Sequence, residues 1–281
     1  HMDMMAEAVG MDPLAFRLKN AQDAGEVTPQ GMHFKSCGLK ECLTTAAEAS
    51  GFLAKTKANA AERGKPGRFK RGIGIASMLH VGGGAKIYPM DDFGSVTLIT
   101  GASEIGQGSE TVLAQLVCEE LGLPMSAVRV INNDTEITPW DVGVHASRTT
   151  FIAGNSAIGA AKKARSKILA AAGKMADLNP DELDLRGSHI VETKSGKVVM
   201  TLAKLLRQLH FSDKAELVMT SFYYEPPSKH QDKHFKGDVS AAYAWATQVV
   251  EVGVDTDTGI VRLLKVTGAH DVGRILNRLG L

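Results

Sequence analysis

Hydrophobic and polar positions change period along this chain. Over residues 1–65 apolar side chains recur with helical spacing, predicting helices at 3–9, 13–24 and 39–57, the second with Pro13 in its first turn. From 72 onward short apolar runs of strand length take over, at 72–80, 95–100 and 128–132. A glycine turn and an amphipathic helix follow the second of these strands. A polar loop at 138–153 feeds an alanine-rich helix expected at 153–174, whose small-residue face suits close packing on a sheet. Beyond it the pattern reads as a hairpin at 189–193 and 197–200, then strands at 216–224, 247–254 and 260–266. The last two are joined by DTDTG, 255–259, which alternating apolar flanks mark as a hairpin turn, against an aspartic-protease reading of Asp-Thr-Gly. The irregular alternation of helices and strands predicts an α+β fold of mixed sheets with packed helices. Basic, glycine-bearing residues 64–72 place the expected boundary between a helical segment, 1–65, and an α+β portion, 66–281.

A chain of 281 residues can bury a large core, as one domain or two intimate lobes. No apolar run nears the roughly 20 residues of a membrane-spanning helix. With 32 basic and 31 acidic residues the net charge is +1, which gives no electrostatic case for nucleic acid or an anionic membrane surface. Cys37, Cys42 and Cys118 match no disulfide framework and no iron–sulfur or zinc spacing, so they read as reduced thiols of a cytoplasmic protein. His1-Met2 reads as a remnant of expression, and the abrupt stop after DVGRILNRLGL as truncation of a longer chain.

The densest chemical signal is VTLITGASEIGQGSETVLAQLVCEEL, 96–121. Glycines at 101, 106 and 108 let a ligand approach the backbone, and the N-terminus of the following helix favours an anion. The spacing approaches the nucleotide-hydrolase loop, but Gln107 replaces its lysine and Gly108 its hydroxyl residue, which argues against triphosphate hydrolysis. A tight structural turn is the bland alternative. The second loop offers Ala146, Ser147, Arg148 and Thr149 just before a helix. Arg148 could grip a phosphate with two hydrogen bonds, or it could serve a structural carboxylate pair.

At these two loops the chain resembles the molybdenum hydroxylases, the family of xanthine dehydrogenase and aldehyde oxidoreductase. Their pattern G-x-x-E-x-G-Q-G-x-x-T, with a helix ending E-x-L-G, is matched by Gly101, Glu104, Gly106, Gln107, Gly108, Thr111, Glu119 or Glu120, and Leu121-Gly122. Asp141, Gly143, Ser147 and Arg148 match the D-x-G-x-x-x-S-R of the next loop. MDPLAFRLKNA from Met11, VEVGVDTDTG from Val250 and AHDVGRILN from Ala269 extend the likeness over 3–281. The resemblance implies that Gln107 hydrogen-bonds an oxo group on molybdenum, flanked by Gly106 and Gly108. It also implies that Ala146, Ser147, Arg148 and Thr149 bind the phosphates of molybdopterin, in its cytosine dinucleotide form. The implied chemistry is hydroxylation of an aldehyde or N-heteroaromatic carbon, or reductive dehydroxylation of an aromatic CoA thioester. Electrons would pass to [2Fe-2S] and FAD centres on partner subunits or domains. Gly154, Asn155, Ala157 and Ile158 resemble aromatic-substrate members such as 4-hydroxybenzoyl-CoA reductase.

The catalytic glutamate that the family implies lies beyond the equivalent of Leu281, so the expectation is an inactive segment with no metal ligand of its own. A non-catalytic nucleotide-binding or assembly module is the alternative, and a phosphate-ester hydrolase lacks a metal-ligand cluster or activated nucleophile. His230 and His234 read as a solvated loop, and His145 as either a cofactor-loop group or a backbone partner. Glu104 reads as a brace for its turn, and Asp271 as structural.

Overall fold

The computed structural model describes residues 1–81, 86–89, 95–212, 217–229 and 231–280. Backbone contacts divide the chain into one unit of residues 1–81 and 228–274, and a second of 82–227 and 275–281.

In the first unit α1 (Met2–Ala8), α2 (Pro13–Asn20), α3 (Leu39–Ser50) and α4 (Phe52–Ala61) precede β1 (Phe69–Val81). Asp12 caps α2, its Oδ1 accepting from the N–H groups of Leu14 and Ala15 at 2.9 and 3.1 Å. The single helix expected at 39–57 is two helices. Gly51 adopts φ 68°, ends α3 and starts α4 in a new direction.

β1 pairs antiparallel with β9 (Tyr243–Asp255), which pairs antiparallel with β10 (Val261–Asp271), giving a sheet ordered β1-β9-β10. Leu14, Leu43, Ala46, Ala47 and Phe52 of the helices pack on Ile75 and Val249 of this sheet. The expected boundary at 65/66 is therefore not a break between units: the helices bury their apolar stripe on strands from the far end of the chain, and β1 begins inside the basic stretch. Arg68 forks onto Asp255 at 2.9 and 2.7 Å beside the DTDTG turn, which closes the β9–β10 hairpin as expected.

The second unit holds β2 (Lys86–Pro89), β3 (Val96–Thr100), α5 (Ser109–Leu121), β4 (Val128–Ile131), a π turn at Thr149–Ala153, and α6 (Gly154–Ala176). These are followed by β5 (Leu183–Arg186), β6 (His189–Glu192), β7 (Val198–Thr201), α7 (Leu202–His210) and β8 (Phe222–Tyr223). One sheet runs β4-β3-β2-β8, with β3 and β4 parallel and the other pairs antiparallel; β5-β6-β7 form a second, antiparallel sheet. The fold is thus α+β with mixed sheets, as the pattern predicts.

Val96 and Leu98 face Leu113, Val117 and Leu121 of α5 and Ala157, Ala161 and Ala164 of α6. The small side chains of α6 bring it close to the sheet. Three elements escaped the sequence reading, β2, β5 and α7. The amphipathic α7 buries Leu202, Leu205, Leu206 and Leu209 under a Thr201 cap, and β5 completes the small sheet. Of the strand expected at 216–224 the described residues show only Phe222–Tyr223, and residues 213–216 lie outside them.

Candidate functional site

β3 and β4 are parallel neighbours, so the loops leaving their carboxyl ends emerge side by side, the position where sheets of this kind present ligand-binding loops. The first loop, 101–108, enters α5; the second, 132–148, enters the π turn and α6. They touch at Gly101. A Cβ there would lie 2.2 Å from the Pro139 carbonyl oxygen and 2.8 Å from Asp141 Cβ, so only glycine permits the contact. Asn132 Nδ2 also donates to the Ala102 carbonyl at 3.3 Å.

In the first loop the expected anion cradle is filled by the chain itself. The Glu104 carboxylate accepts from the N–H groups of Gly106 (2.8 Å), Gly108 (3.0 Å) and Glu110 (3.1 Å) and from the Ser109 hydroxyl (3.0 Å). Burial raises the Glu104 pKa, but the donors from Glu110, Gly108, Ser109 and Gly106 outweigh it and hold the group at about 2. Such a carboxylate is a brace and a poor base. The reading of this helix end as a phosphate cradle is thereby corrected: its free donors are already matched by an internal anion.

Gln107 is exposed on the same loop. Its Nε2 donates to the Ser103 carbonyl (2.9 Å) and to Ser109 Oγ (3.1 Å), while Oε1 accepts from Ile105 N–H (2.7 Å). Turning the amide outward releases those contacts; Ser109 would still keep its bond to Glu104. The flanking Gly106 and Gly108 take φ 101° and 77° and have open space where a Cβ would stand.

The second loop is organised differently. Arg148 Nη1 donates to Asp141 Oδ1 at 2.6 Å and to the Gly143 carbonyl at 3.0 Å, and Asp141 Oδ1 also accepts from Gly143 N–H at 2.8 Å. The two side chains are 1% and 2% exposed. Of the two roles open for Arg148, its guanidinium takes the carboxylate pair in this structure, buried beside Asp141.

Ala146 and Ser147 stand exposed at φ 49° and 46°, and their N–H groups make no hydrogen bond among the described residues. The His145 carbonyl accepts from Arg148 N–H at 3.2 Å across them, closing a tight turn. Thr149 is buried at the start of the π turn. Because αL geometry is poor for any residue with a branched Cβ, Ala146→Val should lower thermal stability by about 1–2 kcal/mol, whereas Ala146→Gly should change it by less than about 1 kcal/mol. Paired melting curves would check this.

The remaining candidates fall elsewhere. His145 is exposed and contributes its carbonyl to the turn. His234 is exposed in a loop held by Asp232, whose Oδ1 accepts from His234 N–H at 2.7 Å, and His230 lies outside the described residues. In the first unit Asp271 packs against Gly38 and accepts from Gly273 N–H at 3.1 Å, a structural role. Asp141 and Gly101 are the residues whose importance the sequence reading underrated; the D-x-G turn signal was visible, but its buried arginine partner was one of two options. Among the described residues no group of three or more His, Cys, Asp or Glu could hold a metal ion, and no helix is long and apolar enough to cross a membrane.

The family model "Molybdopterin cofactor-binding domain" matches residues 45–281. The chain is 30% identical over 292 residues to the xanthine dehydrogenase molybdenum-binding subunit of Escherichia coli O157:H7, covering 99% of this chain and 37% of that protein. It is 29% identical over 295 residues to the gamma subunit of the 6-hydroxypseudooxynicotine dehydrogenase complex of Paenarthrobacter nicotinovorans, covering 99% of this chain and 35% of that subunit. The chain thus spans little more than a third of the length of these relatives.

In fold it is similar to CO dehydrogenase from Oligotropha carboxidovorans (TM-score 0.83, 22% identity, 99% of this chain and 36% of that one). It is similar too to the aldehyde oxidoreductase from Desulfovibrio gigas (TM-score 0.77, 22% identity, 99% and 28%). The matched span includes both loops, β3 to β10 and every element of the second unit, and the chain belongs to the molybdopterin cofactor-binding domain family.

Proposed function

We propose that the two loops of the second unit hold the molybdenum cofactor and that the chain acts as part of the molybdopterin-binding subunit of a molybdenum hydroxylase. The observation that carries this reading is the pairing, at Gly101, of an exposed amide loop with a loop whose exposed Ala146 and Ser147 N–H groups make no hydrogen bond among the described residues, in a chain matching the cofactor-binding family over 45–281. The residues present suit the group. The N–H groups of Ala146 and Ser147, with the Ser147 hydroxyl and the start of the helix at Thr149, would hold phosphate oxygens. Gln107, between Gly106 and Gly108, would hold the metal end through its side-chain amide. Arg148 contributes its backbone and leaves its guanidinium to Asp141.

When bound, the cofactor supplies two-electron redox chemistry at molybdenum, with water as the oxygen source for hydroxylation. The chain's own residues bind and orient. Glu104, held ionised by four donors, cannot move a proton near neutral pH, so the general base is another group.

We further assign the cofactor to its cytosine dinucleotide form, with [2Fe-2S] and FAD centres on partner subunits or domains accepting the electrons. The substrate is an aldehyde, an N-heteroaromatic or an aromatic CoA thioester. Three unpaired cysteines suit a reducing cytoplasm.

Molybdenum and acid-released CMP, measured on the full-length subunit expressed with its neighbouring subunits, test the reading. Near-equal amounts of both support it. Neither above background, in folded protein, overturns it and favours a non-catalytic assembly module. Gln107→Ala should lower turnover by about a hundredfold while molybdenum content stays near that of the unaltered enzyme.

A further inference from the structure

We propose that Asp141 and Arg148 are positioning residues: their buried ion pair holds the Ala146–Ser147 turn in its ligand-ready shape and couples it to the Gln107 loop, without either side chain touching the ligand. This rests on the reading of the turn as a phosphate site.

Two consecutive residues with side chains sit in the left-handed region, which a Cβ disfavours and where Asn-Gly is the usual choice. Something must over-determine that conformation. The bond from Arg148 N–H to the His145 carbonyl, at 3.2 Å, closes the turn but is no shorter than many that break freely. What fixes its end is the Arg148 side chain. It runs inward to Asp141 and the Gly143 carbonyl, making residues 141–148 a ring closed by the ion pair at 2.6 Å. On the other side Ile152 and Ala153 are fully buried, so the turn is stretched between two anchored ends.

The geometry of the pair separates positioning from ligation. An arginine that grips phosphate with two hydrogen bonds presents an edge of two N–H groups to the anion, such as Nε–Nη2. Here that edge is buried, 1% of the side chain being exposed, and only Nη1 is engaged. Nε, Nη2 and Asp141 Oδ2 have no hydrogen-bond partner among the described residues. A pair so incompletely matched contributes less to stability than its burial suggests, which fits a role in defining one conformation. Asp141 also abuts Gly101, so a shift of the pair displaces the first loop as well.

Three variants of the full-length subunit in its complex test this: Asp141→Asn, Arg148→Lys, which keeps the charge but lacks the rigid guanidinium that carries Nη1 to both Asp141 and the Gly143 carbonyl, and Gly101→Ala, which pushes on Pro139 and Asp141 and alters no charge. Positioning predicts at least a fivefold loss of molybdenum and CMP content in all three. If Arg148 ligated phosphate directly, Asp141→Asn would free the cation, and occupancy would hold or rise; that result overturns the proposal.

Amide hydrogen exchange gives a readout independent of the cofactor. The Arg148 N–H should exchange at least tenfold faster in Asp141→Asn while the interior of α6 keeps its protection, and unchanged exchange at Arg148 overturns the proposal whatever the metal content. Absence of molybdenum and CMP from the unaltered complex would instead refute the cofactor reading, and the exchange result would still decide the role of the pair. Should Asp141→Asn fail to fold, the same exchange comparison is made on Arg148→Lys.

Discussion

Replacing Glu104 by alanine should destabilise the chain by about 2–3 kcal/mol and loosen the first loop before the rest of the second unit. One carboxylate satisfies three N–H groups and a hydroxyl at 2.8–3.1 Å. Removing it leaves those donors to compete for water at the start of α5, and charge-assisted hydrogen bonds of this kind carry about 1.5–3 kcal/mol each, though not additively. Glu104→Gln should recover part of the loss, since its amide oxygen accepts but carries no charge for the helix dipole.

The pH dependence has a defined sign. The folded-state pKa is about 2, below the usual 4.5, so the contribution is fully present above about pH 4.5 and fades as pH falls toward 2. Denaturation of the unaltered and Glu104→Ala chains should therefore differ at pH 7 and converge near pH 2. A constant difference over that range would mean that the ionised carboxylate is not what holds the loop. Because Gln107 draws two of its three contacts from Ser103 of the same loop and Ser109 at the start of α5, Glu104→Ala should also disorder the amide that the proposed function relies on.

Gly122→Ala should cost about 2–4 kcal/mol, and the loss should appear in the fold and not in the loops. Gly122 ends α5 at φ 60°, and a Cβ would stand 2.0 Å from the Leu185 carbonyl oxygen and 2.9 Å from its carbon. Both obstacles are backbone, so relief requires α5 to part from β5. The left-handed conformation adds about 1 kcal/mol to an overpacking cost of about 1–3 kcal/mol. Chemical denaturation of both forms measures the loss directly. A difference below about 1 kcal/mol would mean that α5 and β5 separate easily, and that the main core does not depend on this contact.

Much of the architecture was legible because local pattern and tertiary role agree. The apolar run before Gly101 is a strand and the one after Gly108 a helix, and the DTDTG turn is a hairpin. The long alanine-rich helix packs as its composition suggests. Misreadings cluster where the decisive contact is distant or the signal brief. Residues 39–57 carry one continuous helical period, yet Gly51 turns the chain so that Leu43 and Phe52 can both reach the sheet of β1 and β9. α7 is short and follows directly on β7, so its stripe of leucines carries no turn signal that sets it apart from the hairpin. The boundary at 65/66 failed because β9 and β10, nearly two hundred residues downstream, complete the sheet that the first helices cover.

At the site the division is sharper. Spacing alone located both loops, named Gln107 and the Ala146–Thr149 segment, and carried the likeness to the molybdenum hydroxylases, because turn glycines and helix starts are encoded within a few residues. The family match over 45–281 agrees with that likeness. Which group answers which charge was decided only in three dimensions. A helix start with free N–H groups accepts a ligand phosphate or an internal carboxylate equally well on paper, and the curvature of the loop delivers Glu104. An arginine before a helix suits phosphate or aspartate, and the close approach of Asp141 to Gly101, with Arg148 buried beside it, delivers Asp141. Sequence determines the set of possible partners; desolvation and close approach in the folded chain select one, since a buried charge must be met by what lies within about 3 Å of it.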